Sequence, residues 1–328
     1  MNQEKVTELE KTINKDYRNV AGIIVIINGK TLYENYFNEC TATSRIHVYS
    51  VTKSIISILI GIAIDKGYIK GINQKVLDFF PDYTVKRREK TIQKVTLENL
   101  MTMTAPFKYK FAPYKKYFTS DDWVKFTIDL LGGRGQIGKF RYTPLIGPDI
   151  LSGILVKATG QSVLEFATEN LFSPLGIAVE RNVIFHSKEE QLAFNKAINI
   201  SGWVADTTGV NSGGWGLTLS PTDMAKIGQL YLDGGMCNGK LIVSKKWIDE
   251  STKEHSRWKK LNLPYGYLWW VGDDKEHGYA AMGDGGNIIY VNTKKKMVVS
   301  IASLFMVNAK DRIEFIKKYI EPIFENCK

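Results

Sequence analysis

Ser50 and Lys53 are the residues of this sequence whose types and spacing suit nucleophilic catalysis. They precede the apolar run Ile55–Ile64, and a helix that begins here places both side chains one turn apart on the same face. A serine hydroxyl is a weak nucleophile until a base lies beside it, and a buried lysine loses its proton more easily than an exposed one. The helix N-terminus also supplies free backbone N–H groups that can stabilise an oxyanion. The segment therefore predicts acyl transfer.

The Ser-x-x-Lys pattern alone is weak evidence, because average residue usage produces it about once by chance in a chain of this length. A second copy runs from Ser256 to Lys259 among charged residues, without an apolar helix behind it, so we expect solvated surface there. For the first copy, the alternative explanation is a serine that caps a helix and a lysine whose stem crosses the core boundary. The local sequence leaves both explanations open.

Strand patterns lie at both ends of the chain. A helix over 4–16 precedes a hairpin with strands at 20–28 and 31–37. Towards the other end, three β-rich runs are followed by a final helix; these elements are 267–271, 287–291, 297–303 and 309–325.

The patterns between the two ends are mostly helical. We therefore expect an α/β fold, in which an antiparallel sheet built from both termini is flanked by helices and carries an inserted, mostly helical region. The predicted sheet domain comprises 1–65 and 262–328, the helical domain comprises 66–261, and the active site lies between them. The helices predicted after residue 50 are 55–66, 97–103, 123–131, 148–159, 163–171, 221–233 and 244–254.

Five segments resemble, in order and spacing, the class C β-lactamase-like branch of the serine β-lactamase and penicillin-binding-protein superfamily. That branch also holds esterases, D-amino-acid peptidases and aminohexanoate-oligomer hydrolases. No single segment is specific, but five in order are, and the fold of the family agrees with the layout above. The segments are 50–54, 97–104, 140–160, 212–228 and 265–287.

The resemblance implies a role for particular residues. Ser50 would be the acylated nucleophile and Lys53 its base, while Tyr142 would carry a proton between the serine, the leaving group and the deacylating water. The oxyanion hole would consist of the backbone N–H groups of Ser50 and Asp284. The implied function is hydrolysis of an ester or amide; the alternative is a non-catalytic or penicillin-binding sensor module of the same fold.

Two departures from the family pattern fall on substrate-binding positions. Pro144 stands where the second motif often has Asn, and Ala281-Met282-Gly283 stands where β-lactamases have Lys-Thr-Gly. Together with Trp215, these residues are the predicted substrate-binding set. Because they supply neither a cation nor a side-chain amide, we expect a weak β-lactamase, unless a basic residue such as Arg134 or Lys139 reaches into the site.

The composition argues against several classes of binding partner. The net charge of +10 is dispersed along the chain, with no dense basic and aromatic patch, so we expect no nucleic acid. The N-terminus lacks the apolar core of a signal peptide and no run is long enough to span a bilayer, so a cytoplasmic protein is expected. No histidine pair has metal-ligand spacing, and the three cysteines, Cys40, Cys237 and Cys327, lie far apart. We expect no cofactor and no metal, and a small ester, amide or short peptide as substrate; no oligomeric state is predicted.

Overall fold

The computed structural model of the chain describes residues 3–272 and 277–324. Its α-helices are α1 Gln3–Asp16, α2 Val51–Asp65, α3 Leu97–Met101, α4 Tyr114–Phe118, α5 Trp123–Leu130, α6 Asp149–Thr159, α7 Val163–Ala167, α8 Lys188–Lys196, α9 Pro221–Leu232, α10 Lys245–Ser251, α11 Arg312–Phe315 and α12 Glu321–Phe324. Segments Thr168–Phe172 and Ile316–Ile320 are π-helical, and the 3₁₀ turns are Val76–Phe79, Ile92–Lys94, Ser173–Leu175 and Asp284–Gly286.

Eight of the strands form one antiparallel sheet, in the order β2-β1-β14-β13-β12-β11-β10-β9. The other six form three two-stranded pairs. The strands are β1 Val20–Ile27, β2 Lys30–Tyr36, β3 Ile46–His47, β4 Asn182–Val183, β5 Trp203–Val204, β6 Thr218–Leu219, β7 Met236–Cys237, β8 Lys240–Leu241, β9 Ser256–Trp258, β10 Leu263–Tyr265, β11 Trp270–Val271, β12 Gly278–Gly283, β13 Asn287–Asn292 and β14 Met297–Ser303.

The large sheet is built from both chain ends, as the sequence predicts. Its centre is the antiparallel pair β1 and β14, in which Val25 lies opposite Val299. Both strands are almost entirely buried, because helices cover both faces of the sheet. On one face α1 and α11 contribute to a core around Ile23, and on the other face α9 packs against β1, β13 and β14.

Helix α2 is buried around nearly its whole circumference. Its first thirteen residues, from Val51 to Ala63, are all buried, which is typical of a helix in the middle of a large core. It contacts β12 on the sheet side and α6 on the helical side. The first turn of α2 is therefore held between the sheet and the inserted helices, where the active site is predicted.

The large sheet differs from the prediction in one strand and at one edge. One predicted strand is shorter, and two strands that the sequence does not predict, β9 and β10, extend one edge of the sheet. The run 267–271 forms strand only at Trp270–Val271, because Leu268 adopts a positive φ of 61° and its N–H donates to Met101 O in a turn. Strands β9 and β10 have three residues each, and Pro264 lies inside β10, a pattern that does not predict a strand.

Two elements of the predicted helical domain are associated with the large sheet in the structure. Strand β9 and helix α9 lie inside 66–261, yet β9 belongs to the large sheet and α9 packs on it. The division therefore stays a prediction. Two residues of the sequence predictions, Cys327 and the end of the last helix at Glu325, lie outside the described residues.

Candidate active site

Ser50 lies immediately before α2, at the end of a tight turn. Tyr49, the preceding residue, has a φ of 49°, a left-handed conformation that is uncommon for a residue with a side chain. The hydroxyl of Ser50 caps no backbone group of the helix. The serine therefore does not act as the helix cap that the alternative explanation requires, and its hydroxyl is available for chemistry.

Lys53 is buried, with 1% of its surface exposed, and its amine has three neighbours. Nζ lies 2.7 Å from Ser50 Oγ, and it donates to Pro144 O at 2.7 Å and to Gly214 O at 2.9 Å. A neutral amine has two hydrogens and one lone pair. Because two carbonyl groups accept the two hydrogens, the lone pair is left for the hydroxyl proton of Ser50. This is the geometry of a general base.

Burial also lowers the proton affinity of Lys53. The loss of water around the ammonium brings the pKa of Lys53 from its usual 10.5 down to about 7, although the carboxylates of Asp284 and Asp149 act in the opposite direction. No carboxylate accepts a hydrogen bond from Nζ among the described residues. Near neutral pH a large fraction of Lys53 is therefore neutral and can accept a proton.

Tyr142 lies against the same amine. Its ring centroid is 5.3 Å from Lys53 Nζ, and the ring is parallel to Trp258 and packs against Trp270. Burial raises the pKa of Tyr142 to about 12, while the Ser50 hydroxyl acts in the opposite direction. The phenol therefore keeps its proton at neutral pH. Of the two groups beside Ser50, Lys53 has the pKa that suits a base near neutral pH, and Tyr142 has the pKa that suits a proton donor.

The end of β12 packs against the nucleophile turn. A Cβ atom on Gly283 would lie 2.2 Å from Val48 O and 3.1 Å from Ser50 N, so only glycine fits at this position. Asp284 follows directly, at the start of a 3₁₀ turn. The Ser50 N–H donates no hydrogen bond to the residues that the structure describes. The end of β12, directly before Asp284, thus lies close to this N–H of Ser50.

Side chains behind β12 fix the turn at Asp284. Asn287 Nδ2 donates to Asp284 O at 2.9 Å, and Asn19 Nδ2 donates to Gly285 O at 2.6 Å and to Leu304 O at 2.7 Å. No sequence motif marks Asn19 or Asn287, since their role depends on contacts between distant parts of the chain. They limit the movement of the backbone next to Ser50.

Asp149 is a further buried polar residue that lies outside the residues predicted for the site. Its Oδ1 accepts from Ser212 Oγ at 3.1 Å and from Gly213 N at 2.9 Å, and so fixes the turn whose Gly214 carbonyl binds Lys53. Burial raises the pKa of Asp149 to about 6. The available signal was its place at the start of a helix, seven residues after Tyr142, facing a Gly-Gly pair.

The predicted substrate-binding residues lie in different environments. Pro144 and Met282 are half-buried, and Ala281 is buried on β12. Trp215 has only 4% of its surface exposed, and its indole N–H donates to Tyr117 Oη inside an aromatic cluster. Its contact with a substrate stays a prediction. The basic residues Arg134 and Lys139, by contrast, are exposed.

His47 is the histidine closest in sequence to Ser50, and it is committed to the fold. Its Nε2 accepts from Gly216 N–H at 2.9 Å, so the proton is on Nδ1, which donates to Asn195 Oδ1 at 3.0 Å. Burial lowers the pKa of His47 to about 3. A neutral ring with both nitrogens engaged is not a catalytic base.

The described ranges, 3–272 and 277–324, contain neither a metal-binding cluster nor a membrane-spanning helix. No cluster of three or more histidine, cysteine, aspartate or glutamate side chains there could bind a metal ion. No helix in these ranges is long and apolar enough to cross a bilayer.

Comparison with known proteins identifies the family and the fold. The sequence model described as "Beta-lactamase" matches residues 6–316. A 6-aminohexanoate-dimer hydrolase from Paenarthrobacter ureafaciens is 20% identical over 298 residues, which cover 84% of this chain and 70% of the relative. A family VIII carboxylesterase has a similar structure, with a TM-score of 0.71 and 18% identity over 96% of each chain. A penicillin-binding protein homologue from Caulobacter crescentus has a TM-score of 0.70 and 15% identity, covering 93% of this chain and 92% of the other.

Proposed function

Because this chain belongs to the β-lactamase family of hydrolases, we propose that it cleaves an ester or amide bond through an acyl-enzyme on Ser50. The observation that carries the proposal is the buried amine of Lys53. It lies 2.7 Å from Ser50 Oγ, and two backbone carbonyl groups accept its remaining hydrogens. The relatives support the substrate class, since they are named as a carboxylesterase and a 6-aminohexanoate-dimer hydrolase.

The first step is acylation. Neutral Lys53 takes the hydroxyl proton of Ser50, and Oγ attacks the carbonyl carbon of the substrate. The negative charge that develops on the carbonyl oxygen is stabilised by the N–H groups of Ser50 and Asp284, which belong to the fold and need no rearrangement. The proton on Lys53 then reaches the leaving group by way of Tyr142, whose phenol exchanges one proton for another and stays neutral overall.

The second step releases the acyl group. A water molecule attacks the acyl-enzyme and its proton passes by way of Tyr142 to neutral Lys53, which then protonates Ser50 Oγ as it leaves. Both steps use Lys53 as base while neutral and as acid while charged, and a pKa of about 7 suits a group that must do both near neutral pH. The residues named thus account for every proton that moves.

The test combines labelling with turnover. A fluorophosphonate should label Ser50, and p-nitrophenyl butyrate should be hydrolysed over many cycles. Labelling without turnover would instead support a binding or sensor module of the same fold. Absence of labelling would refute both functions.

We also propose that β-lactams are poor substrates. Ala281 supplies no cation for the carboxylate of the antibiotic, and Pro144 supplies no side-chain amide for its acyl amide group. The lost charge-assisted hydrogen bond costs about 1.5–3 kcal/mol and the lost neutral one about 0.5–1.5 kcal/mol, so together they reduce kcat/KM by roughly thirtyfold or more. Nitrocefin and p-nitrophenyl butyrate, assayed side by side, test this. A kcat/KM for nitrocefin of about 10⁶ M⁻¹s⁻¹ or more would contradict the proposal.

A further inference from the structure

A cavity of about 450 Å³ lies beside the proposed oxyanion hole. Its walls are the segment from Met282 to Ile288 and the segment from Phe305 to Arg312. The first wall includes Gly283, which packs against Ser50 N. The second wall reaches the nucleophile turn, because the ring of Phe305 lies 5.4 Å, centroid to centroid, from that of Tyr49. The cavity therefore lies next to the turn that carries Ser50.

The charges around the cavity leave one carboxylate without a partner. Lys310 is paired with Asp16 at 2.7 Å. Buried Arg312 and its neighbour Asp311 offset each other, and the Asp311 carboxylate also caps α11. Asp284 is exposed, and its side chain makes no hydrogen bond or ion pair with the residues that the structure describes. Asp284 is therefore the carboxylate of this cavity whose charge no described partner offsets.

The negative charge of Asp284 affects Lys53, the proposed base. Among charged residues, Asp284 has the largest effect on Lys53, whose pKa it raises against the effect of burial. It likewise adds to the raised pKa of Tyr49 and, on α4, of Tyr114. The rings of Tyr114 and Phe305 are 39% and 52% exposed. A carboxylate beside exposed aromatic rings is an arrangement by which proteins bind ammonium groups.

We propose that the natural substrate is an ester or amide that carries an ammonium group on its acyl or leaving portion, and that the Asp284 carboxylate determines this preference. The inference rests on the proposed function of Ser50 and adds no chemical step to it. The backbone N–H of Asp284 serves the oxyanion, while its side chain selects the charge of the substrate. The positive net charge of the whole protein would otherwise disfavour such a substrate.

Isosteric substrate pairs test the preference. On the acyl side, p-nitrophenyl 4-(trimethylammonio)butyrate is compared with p-nitrophenyl 5,5-dimethylhexanoate. On the leaving-group side, butyrylcholine is compared with 3,3-dimethylbutyl butyrate. In at least one pair we expect the cationic ester to have a kcat/KM about fivefold higher or more at low salt. The pair that responds identifies the portion of the substrate that enters the cavity, and the ratio should shrink at about 0.5 M salt.

The variants are compared by the same ratio, so that any change in the oxyanion hole affects both members of a pair and cancels. Asp284→Asn should bring the ratio close to one, and Asp284→Lys should make the cationic ester the poorer substrate. Asp82→Asn, which changes an exposed aspartate outside the cavity, should leave the ratio as it is.

Two results would overturn the inference: equal rates within both pairs for the unaltered protein, or a cation preference that survives in Asp284→Asn. Neither result would contradict the proposed role of Ser50, which is refuted if Ser50→Ala still cleaves the neutral esters. If the unaltered protein cleaves none of the four esters, both the proposed function and the cation preference are refuted.

Discussion

The two Ser-x-x-Lys segments, 50–53 and 256–259, have the same spacing but lie in different secondary structure. The first spans the start of α2, where residues three apart lie on the same face, and Lys53 reaches Ser50 at 2.7 Å. In the second, Ser256 begins β9 at the edge of the sheet and Lys259 lies just beyond the strand in a turn, so no helix places the two side chains on one face. Ser256 Oγ donates to Thr102 O instead, and Lys259 is exposed.

The difference between the two segments lies in the surroundings of the lysine. Lys53 is 1% exposed and its pKa is about 7, because burial removes water from the amine. Two carbonyl groups from distant parts of the chain then orient its lone pair. Lys259 has none of these features, so the chemistry comes from the helix and the core around it rather than from the spacing alone.

The largest expected effect is that of Ser50→Ala, which should abolish turnover of p-nitrophenyl butyrate and labelling by a fluorophosphonate. Without Oγ no acyl-enzyme can form. Ser256→Ala is the matched control, since it removes a hydroxyl from the same pattern elsewhere. If Ser50→Ala keeps near-native activity while Ser256→Ala loses it, the wrong segment has been chosen.

The next largest effects on activity are expected for Lys53 and Tyr142, the neighbours of Ser50. Lys53→Ala and Tyr142→Phe should each lower kcat by about a hundredfold or more, the range of general acid–base contributions. Steady-state kinetics with p-nitrophenyl butyrate gives the measurement. Folding should survive Tyr142→Phe because only a hydroxyl is lost, and circular dichroism checks this. A native kcat in Tyr142→Phe would remove the tyrosine from the mechanism.

The sequence points to the candidate catalytic side chains, but it does not predict the groups that surround them. The order of motifs points to Ser50, Lys53 and Tyr142, and the strands of both termini are confirmed as one sheet. The groups that tune Lys53 are backbone carbonyls, which any residue carries, and Pro144 and Gly214 lie 91 and 161 residues away along the chain. Their position depends on the packing of loops between the sheet and the helices, and no local pattern encodes it.

The pH dependence of kcat/KM should reflect the neutral form of Lys53. Since the pKa of Lys53 is about 7, activity should fall as the pH drops through 7 and the amine becomes protonated. Ionised Asp149 favours the protonated amine, so Asp149→Asn should lower the pKa of Lys53 and move the acidic limb to lower pH. Asparagine keeps the acceptor for Ser212 and Gly213.

Asp82→Asn, an exposed change of the same kind, is the control for this shift and should leave the limb in place. A purely structural role of Asp149 would lower kcat/KM at every pH without moving the limb. A shift of the limb to higher pH would contradict the assignment of Lys53 as the titrating base.

The smallest effect on activity is expected at the second segment. Replacement of both Ser256 and Lys259 by alanine should change kcat/KM by no more than about twofold, because neither side chain contacts Ser50 or Lys53. The structure corrects one expectation here, since Ser256 is half-buried and hydrogen-bonded rather than solvated. Its loss should lower the free energy of unfolding by about 1 kcal/mol, whereas Lys259→Ala alone should have almost no effect. Urea unfolding of the single and double variants separates the two contributions, and a stability loss without an activity loss is the result that distinguishes this segment from the first.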